Sequence, residues 1–262
     1  MSQAWMVASG KGGVGKTVVT AALGTALAKF QQSCAVLDAD LGLRNLDLLL
    51  GLENHVVFDL LDVAKKDCKL KHALISDTKF PSLALLPASQ MASPSDLKGD
   101  SLETVVKKLK KRFSYVLMDA PAGLELSPLL QSADHTLLIV TPDDVSIRDA
   151  ERVIALLESH DKPRPMLIVN RVYPDMVRRG EMYSPRTVAN VLDVPLLGFI
   201  PNDLQVLRAI NRHETFMETD CSAKDAVERI CRRFMGEYVP MPELEKKKRF
   251  FSLRRKEEKA FL

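Results

Sequence analysis

A glycine-rich segment near the N-terminus constrains this chain more than any other part of its sequence. Residues 10–17 read GKGGVGKT, in which Gly10 is followed after four residues by Gly15-Lys16-Thr17. An apolar run at 4–8 precedes the segment, and a pattern of apolar residues spaced four apart follows it. A strand, a glycine-rich turn and a helix in this order form the context of a phosphate-binding loop. The segment therefore predicts a nucleotide site rather than an ordinary glycine turn.

The residue types of this loop suit phosphate. Glycine allows backbone N–H groups to curl around an anion, and the positive end of the helix dipole lies at the same place. We expect Lys16 to reach the outer phosphates and the Thr17 hydroxyl to hold Mg²⁺. The basic motif does not require Lys11. This lysine is either a solvated loop residue or a second cation that neutralises transition-state charge, including that of a neighbouring subunit.

Strand and helix patterns alternate along the rest of the chain. Apolar runs predict further strands at 34–38, 82–86, 115–119, 136–141, 166–170 and 196–200. Apolar periodicity predicts helices at 57–64, 96–113, 145–158, 184–192 and 222–237. Strands that are nearly all apolar and alternate with helices indicate an α/β fold, the P-loop NTPase three-layer sandwich, with a mostly parallel sheet and helices on both faces. Ligands of such a sheet bind at the carboxyl ends of the strands.

Three aspartates stand at or just beyond the ends of predicted strands. Asp119 closes an apolar strand, which is typical of the Walker B acid that holds Mg²⁺ or its water ligands. Asp38 and Asp40 are two residues apart, so an extended chain aims both side chains the same way. One of them would contact Lys16 or the magnesium shell and the other would orient the attacking water. Either is alternatively a turn residue, and the spacing alone does not assign the roles. Gly123 is either a turn residue or a source of an unhindered N–H for a γ-phosphate.

Composition narrows the class of protein. With 262 residues, 46% of them hydrophobic and 27% charged, the chain is an ordinary globular protein in which one α/β domain is expected. It has no run of about 18 apolar residues, and its N-terminus lacks the pattern of a signal peptide. The four cysteines show neither CxxC nor metal-ligand spacing. Reduced thiols in a cytoplasmic protein are therefore expected, and an iron–sulfur reductase is not.

The net charge of +3 conceals an uneven distribution. Seven basic residues and no acid fall within 246–256, and subtracting these seven charges from +3 leaves −4 for the rest of the chain. A mildly acidic body is a poor nucleic-acid binder, so no nucleic-acid partner is expected. Pro240 and Pro242 end the globular pattern. The sequence thus predicts a P-loop ATPase domain at 1–240 and a linker with a basic amphipathic tail at 241–262.

Several motifs in order along the chain resemble one protein family. Residues 10–17 are similar to the deviant Walker A motif, KGGVGKT, of the MinD/ParA family of ATPases, and the other segments resemble its septum-placing branch. These segments are 38–47 (DADLGLRNLD), 51–54 (GLEN), 86–90 (LPASQ), 119–123 (DAPAG), 148–152 (RDAER), 170–171 (NR) and 179–182 (RGEM). Val18 and Val19 replace a usual Thr or Ser, and Ala120 replaces a common Ser, without removing a group given a catalytic role. Activity is therefore expected, and its rate is left open.

The resemblance implies a homodimer that forms with ATP and Mg²⁺ and hydrolyses the ATP. In that dimer Lys11 would reach the partner's phosphates, Lys16 and Thr17 would serve their own nucleotide, and Asp40 would position the water. Asp38 and Asp119 would lie near the metal. The implied nucleotide-binding residues are Gly10, Lys11, Gly12, Gly13, Val14, Gly15, Lys16, Thr17, Val18, Gly123, Asn170, Arg171, Pro201 and Asp203.

The same resemblance implies a protein that cycles between the cytoplasm and the cytoplasmic face of the cell membrane to place the division septum. Its partners would be a MinC-type division inhibitor, a MinE-type or other topological regulator, and the anionic inner leaflet. The helix around Asp149 and Arg152 would lie near the dimer seam where such partners bind. The tail would insert Phe250, Phe251 and Leu253 among lipids, although a solvated basic tail is the other interpretation.

Two alternatives remain open at this stage. A DNA-partitioning or flagellar-number ATPase of the same superfamily is less favoured, because the chain starts directly at its first strand and its body is acidic. A scaffold that dimerises with nucleotide and does not hydrolyse it belongs to a different functional class. Loss of turnover with retained dimerisation in Asp40→Ala would separate this scaffold from an ATPase.

Overall fold

A central parallel sheet carries the fold. The computed structural model describes residues 2–93, 96–124 and 126–244. Within these residues eight strands lie in the order β3-β4-β2-β5-β1-β6-β7-β8, and all pair in parallel except β3 with β4. The strands are β1 (Gln3–Ala8), β2 (Cys34–Asp38), β3 (Ile75–Ser76), β4 (Leu83–Leu86), β5 (Tyr115–Asp119), β6 (His135–Val140), β7 (Met166–Val172) and β8 (Leu196–Pro201).

Helices connect the strands. In the described part of the chain they are α1 (Lys16–Lys29), α2 (Leu46–Leu50), α3 (Leu60–Lys65), α4 (Leu70–Ala73), α5 (Gly99–Lys110), α6 (Ser127–Ser132), α7 (Asp144–Ser159), α8 (Pro174–Arg179), α9 (Pro185–Leu192), α10 (Leu204–Ile210) and α11 (Ser222–Phe234). Short 3₁₀ turns lie at Glu53–His55 and Phe216–Glu218.

Both faces of the sheet are buried because successive side chains of a strand point to opposite faces. In β1, Met6 enters one hydrophobic core, which α3, α5, α6, α7 and α9 cover. Its neighbour Val7 enters the second core, which α1 and α11 cover. Two helical layers around a mostly parallel sheet confirm the predicted three-layer α/β sandwich.

The strand order brings the loops of interest together. β1 lies between β5 and β6, and β2 lies on the far side of β5. Asp38 and Asp119 are register partners at the carboxyl ends of β2 and β5. The strand order runs outward from β1 to β5 and β2 on one side and to β6 on the other. The loops after these four strands therefore lie close together at the carboxyl edge, where open α/β sheets bind ligands.

Several element boundaries differ from the sequence prediction. The helix predicted at 57–64 begins at Leu60, because Asp59 caps it by accepting bonds from Leu61 and Asp62 N–H while Asp62 accepts from Asp59 N–H. The helix predicted at 96–113 is shorter, at Gly99–Lys110. The final helix ends at Phe234 rather than 237. The short elements β3, α2, α4, α6, α8 and α10 were not predicted, since a few residues display no clear period.

The chain leaves α11 along the amino ends of the strands. Arg233 donates to the carbonyl of Leu197, near the start of β8, and to the carbonyls of Val239 and Pro240. Met241 and Leu244 pack half-buried against the first core. The predicted membrane residues Phe250, Phe251 and Leu253 lie outside the described residues, so that prediction stays open. No helix in the described part is long and apolar enough to cross a membrane.

Candidate nucleotide site

The glycine-rich loop joins the end of β1 to the start of α1. Gly13 and Gly15 have φ angles of 79° and 91°, in the left-handed region that favours glycine. A Cβ on Gly15 would lie 2.4 Å from Asn170 Nδ2, whereas one on Gly13 would meet nothing within 4 Å. At Gly10 a Cβ would lie 2.2 Å from the carbonyl oxygen of Asp149 in α7. Close packing therefore holds both ends of the loop, and its middle is open on the outer side.

Lys16 lies against the predicted Walker B acid. Its Nζ is 2.9 Å from Asp119 Oδ1, and both side chains are buried. The other carboxylate oxygen, Asp119 Oδ2, is also buried and has no hydrogen-bond partner among the residues that the structure describes. A buried polar atom without a partner costs free energy unless a ligand or water supplies one. The structure thus leaves one acceptor free beside the cation of the P-loop.

Thr20 completes this contact, and sequence reasoning missed it. Its buried hydroxyl lies 3.0 Å from Asp119 Oδ1 and 3.0 Å from the carbonyl oxygen of Lys16. Thr20 follows Lys16 by four residues in α1, so both side chains occupy one helix face. The spacing of four residues could have predicted this contact, because an acid that binds Lys16 lies beside the same face of α1 as residue 20.

Asp38 organises the loop after β2. Its Oδ1 accepts from Asp40 N–H at 3.1 Å and its Oδ2 accepts from Leu46 N–H at 3.2 Å. Burial, together with the negative charge of Asp119, raises the pKa of Asp38 to about 7. Burial also raises the pKa of the half-buried Asp40, and the positive charge of Lys16 opposes this shift. Three carboxyl groups thus lie close enough to repel one another beside Lys16, an arrangement in which a divalent cation would relieve repulsion.

The donor set fits Mg²⁺ bound together with a nucleotide. Thr17 is half-buried and makes no side-chain hydrogen bond within the described residues, and Asp119 Oδ2 lacks a partner. No group of three or more His, Cys, Asp or Glu side chains is placed to hold a metal in the described ranges. Mg²⁺ characteristically takes one or two protein oxygens and completes its shell with phosphates and water. Thr17 and Asp119 match that mode of binding.

Gly123 is placed beside the loop but its N–H is engaged. It has φ of 93°, and its N–H donates to the carbonyl of Ser9 at 3.0 Å. Ser9 lies between β1 and the glycine-rich loop, so this bond ties the segment after β5 to the P-loop. Contact of Gly123 with a γ-phosphate stays a prediction, and it requires this hydrogen bond to be exchanged.

A cleft of about 300 Å³ adjoins the P-loop on the side of β7 and β8. The predicted nucleotide residues that line it are Gly15, Val18, Asn170, Arg171, Pro201 and Asp203. Asn170 is buried and its Nδ2 donates to the carbonyl of Val14 at 2.8 Å. The tertiary structure therefore gathers residues from three distant segments, and Asn170 joins the cleft to the P-loop backbone.

Asp203 lies at the cleft and holds the starts of two helices in place. Its Oδ1 accepts from Gln205 N–H as the N-cap of α10, and its Oδ2 accepts from the N–H and hydroxyl of Ser222 at the start of α11. The hydrogen bond from the Ser222 side chain lowers the pKa of Asp203 despite its partial burial. The carboxylate thus joins the starts of two helices beside the cleft that it helps to line.

One wall of this cleft is apolar and was missed by sequence reasoning. Leu204 and Leu207 of α10 line the cleft together with Tyr173, and all three are exposed to solvent. Large apolar side chains exposed around a concave site are typical of a ligand pocket. A flat aromatic ring is the part of a nucleotide that such a wall suits. The signal was the cap residue Asp203 followed by an apolar pattern directly after a strand.

Lys11 forms its ion pair with an acid at the start of α7. Its Nζ is 3.9 Å from Asp143 Oδ1, and each side chain is nearly half exposed. Asp143 caps α7 through Ser146 N–H and accepts the Thr141 hydroxyl at 2.6 Å. Although partial burial opposes them, these bonds and the charge of Lys11 lower the pKa of Asp143. The pair is an exposed and therefore weak ion pair, so Lys11 is available to another partner. Asp143 carried no sequence signal for this contact.

Comparison with known proteins agrees with this geometry. The CobQ/CobB/MinD/ParA nucleotide binding domain family matches residues 5–216. The septum site-determining protein MinD of Helicobacter pylori is 40% identical over 255 residues, covering 94% of this chain and 95% of that protein.

Solved structures give the same assignment. A chain of the MinC:MinD cell division protein complex of Aquifex aeolicus is 39% identical, with a TM-score of 0.86, and the match covers 94% of this chain and 100% of that one. The septum site-determining protein MinD of Pyrococcus horikoshii, complexed with Mg-ADP, is 28% identical with a TM-score of 0.80, covering 89% and 96% of the two chains. As the sequence motifs predicted, the chain belongs to the MinD/ParA family of nucleotide-binding P-loop ATPases.

Proposed function

We propose that this chain is a membrane-cycling ATPase that binds ATP and Mg²⁺, dimerises in the ATP state and helps to place the division septum. The observation that carries the proposal is the buried contact of Lys16 with Asp119, whose second oxygen lacks a partner. Such a pair is poised to accept a phosphate on the lysine and a metal-bound water on the acid. The likeness to septum site-determining proteins supports the assignment of the biological role.

The residues of the site would then have separate roles in nucleotide binding and hydrolysis. Lys16 would leave Asp119 for the outer phosphates of the nucleotide, and the Thr17 hydroxyl and Asp119 would hold the metal. Mg²⁺ bound there supplies neutralisation of charge on the phosphates. Asp40 stands beside Lys16 and accepts a hydrogen bond from the water that attacks. The exposed apolar wall of α10 is covered by the nucleotide base.

Dimerisation is supported by a row of apolar side chains at the carboxyl edge of the sheet. The loops or helices after four strands of this edge, β2, β4, β5 and β6, each expose at least one such residue, and one residue from each forms the row. These are Leu43 at 63%, Met91 at 98%, Leu124 at 48% and Val145 at 58% exposure. Apolar surface concentrated on one edge marks an interaction site. A second copy of the chain facing this edge would cover these residues and bring Lys11 to the partner's phosphates.

The proposed partners follow from the family. The Aquifex relative is part of a MinC:MinD complex, and we extend a MinC-type inhibitor to this chain as its partner. The helix α7, whose Asp149 packs on Gly10, couples the P-loop to the surface where this inhibitor and a MinE-type regulator would bind. With the basic segment at 246–256 as membrane anchor, the protein would be cytoplasmic with ADP and peripheral on the inner leaflet with ATP.

Hydrolysis is tested by comparing Asp40→Ala with a matched control, Asp225→Ala, which removes an exposed acid from α11. We expect Asp40→Ala to lower phosphate release by at least about a hundredfold and to retain ATP-dependent dimers in light scattering. The control should behave as the unchanged chain. Dimers with no phosphate release in the unchanged chain would indicate the non-hydrolysing scaffold instead.

The role of Lys11 is tested by mixing two inactive variants. If Lys11 acts across the dimer, Lys11→Ala and Asp40→Ala will complement each other, because a mixed dimer contains one site with both groups. Random pairing would then restore roughly a quarter of the original turnover. Mixed dimers, detected with differently labelled chains, that release no phosphate would show that Lys11 acts within its own subunit.

A further inference from the structure

A basic cleft lies at the end of the molecule opposite to the nucleotide site. It opens between the α3–α4 segment and the C-terminal end of α5 and has a volume of about 640 Å³. Val63 and Leu70 are buried at its floor. Its rim consists of the exposed side chains of Lys66, Lys69, Lys71, Lys108, Lys111 and Arg112.

The charge of the basic cleft is poorly compensated. None of its six cations forms an ion pair within the described residues, whereas the nearby Lys107 and Lys110 are paired with Glu103 and Asp134. One acid, Asp67, lines the cleft. Asp59 and Asp62, which cap α3 through backbone hydrogen bonds, keep their charges and lie near Cys68 of the same cleft, so six cations face three acids. Such an excess of exposed positive charge favours an anionic partner.

Helix electrostatics explains only part of this arrangement. Lysines in the last turn of α5 are favoured by the negative end of the helix dipole. The same reason covers Lys66, the C-cap of α3, and Lys71 in the last turn of α4, but it does not cover Lys69 at the N-terminal end of α4. Contacts between α3 and α5 bring the two sets together across the cleft. The concentration of charge is therefore a property of the tertiary structure.

The basic cleft shares an edge of the sheet with the exit of the chain. Arg112 shortly precedes β5, whose first residue lies at the amino edge beside the start of β1. Pro240 is held near the start of β8 by Arg233, so the chain heads toward its basic segment from the same edge. The nucleotide site and the exposed apolar row lie at the carboxyl edge. A membrane that bound the basic segment would thus also face the basic cleft. The proposed dimer face and the nucleotide site would lie at the opposite edge of the sheet.

We propose that the basic cleft binds the phosphate groups of anionic lipids and forms a second membrane contact on the body of the protein. The proposal rests on the membrane cycle given above. Lysine ammonium groups bind phosphate as point charges, and each one near an anionic surface strengthens attachment. A membrane is favoured over a nucleic acid because the cleft lies at the same edge of the sheet as Val239 and Pro240, which precede the basic segment in the sequence, and because the rest of the body is acidic.

The test is co-sedimentation of the full chain with vesicles of phosphatidylglycerol and phosphatidylcholine, in ATP and in ADP. The cleft variant is Lys108→Gln with Lys111→Gln. The matched control is Lys98→Gln with Arg186→Gln, which removes the same charge from the carboxyl-edge ends of α5 and α9. We expect the cleft variant to lower the apparent partition coefficient in ATP by roughly tenfold and the control by less than about twofold.

Each other outcome overturns the proposal in a distinguishable way. Equal binding of the unchanged chain and the cleft variant would show that the basic cleft does not contact lipid, and it would not affect the proposed membrane cycle. Equal losses in the cleft variant and the control would assign the effect to net charge. An unchanged chain that never pellets with vesicles would overturn the membrane cycle itself. Fluorescence anisotropy with labelled mixed-sequence duplex DNA completes the test, since a loss confined to DNA would make nucleic acid the occupant.

Discussion

At the scale of single residues, the carboxyl group of Asp119 organises the site. Its Oδ1 faces both Lys16 and Thr20, and its Oδ2 has no hydrogen-bond partner in the described part of the chain. The first oxygen fixes the orientation of the carboxylate, which leaves the second one directed at the space for a ligand. Preorganisation of this kind lowers the cost of binding because little has to be ordered when the ligand arrives.

Thr20→Val tests this orientation. The substitution preserves shape and removes the hydroxyl from Asp119, so we expect weaker binding of Mg-nucleotide and a loss of unfolding free energy of about 1–3 kcal/mol. Thr25→Val is the matched control, since Thr25 is equally buried in α1 and donates to a carbonyl four residues back, at Ala21. Urea unfolding and magnesium-dependent nucleotide titration of both variants check the prediction. Equal nucleotide affinities in the two variants would contradict it.

Gly15→Ala tests the packing of the P-loop on Asn170. The new Cβ adds both left-handed strain and a clash with the Asn170 amide, which would have to leave the carbonyl of Val14. Gly180→Ala isolates the strain, because Gly180 has φ of 75° and open space around it. We expect Gly180→Ala to cost about 1 kcal/mol and Gly15→Ala about 1–3 kcal/mol more. Equal costs in urea unfolding would show that the Asn170 contact contributes nothing.

At the scale of elements, Asp134 clamps the amino edge of the sheet. Its carboxylate accepts from Ala4 N–H in β1 at 2.7 Å and from Lys110 in α5 at 2.6 and 2.9 Å. The residue directly precedes β6. One side chain therefore joins a helix end and two neighbouring strands. Partial burial raises the pKa of Asp134, but the hydrogen bonds from Lys110 and Ala4 outweigh it, so the pKa is lowered.

This shift predicts a pH dependence. A lowered pKa in the folded state means that the carboxylate stabilises the protein above its unfolded pKa, and the contribution is lost as the pH falls through the folded value. Asp134→Asn should cost about 1 kcal/mol at neutral pH, since the pair is one-third exposed. The difference from the unchanged chain should shrink below about pH 4. Urea unfolding across this range checks it, and a difference that stays constant with pH would contradict it.

At the scale of the whole molecule, the two edges of the sheet carry different surfaces. The carboxyl edge presents the nucleotide site and the apolar row of Leu43, Met91, Leu124 and Val145, and the amino edge presents the basic cleft and the exit of the chain. Parallel strands make this separation possible, because all loops of one kind leave from one edge. Nucleotide-dependent association and attachment to a surface can then proceed without competing for the same face.

Val145→Glu tests the carboxyl edge as the dimer face. The residue is exposed in the single chain, so the fold should be unaffected, but a charge buried in the dimer would weaken association in ATP by at least about tenfold. Val191→Glu is the matched control, because Val191 has 56% exposure against 58% for Val145 and lies in α9 away from the apolar row. Analytical ultracentrifugation in ATP and ADP measures the outcome. Stronger weakening by Val191→Glu would place the dimer face elsewhere.

The P-loop, the alternation of strands and helices and the acids at strand ends were predictable from the sequence, because each follows from local spacing and periodicity. The sequence also carried the family motifs, and the fold and family predicted from them are confirmed. Only the tertiary structure shows that Thr20 hydrogen-bonds to Asp119, that Lys11 pairs with Asp143, and that α10 lines the cleft beside Asn170. It alone gathered the six cations of the basic cleft. These contacts join segments far apart in the chain, and the order and register of parallel strands, which no local pattern encodes, determine which segments meet.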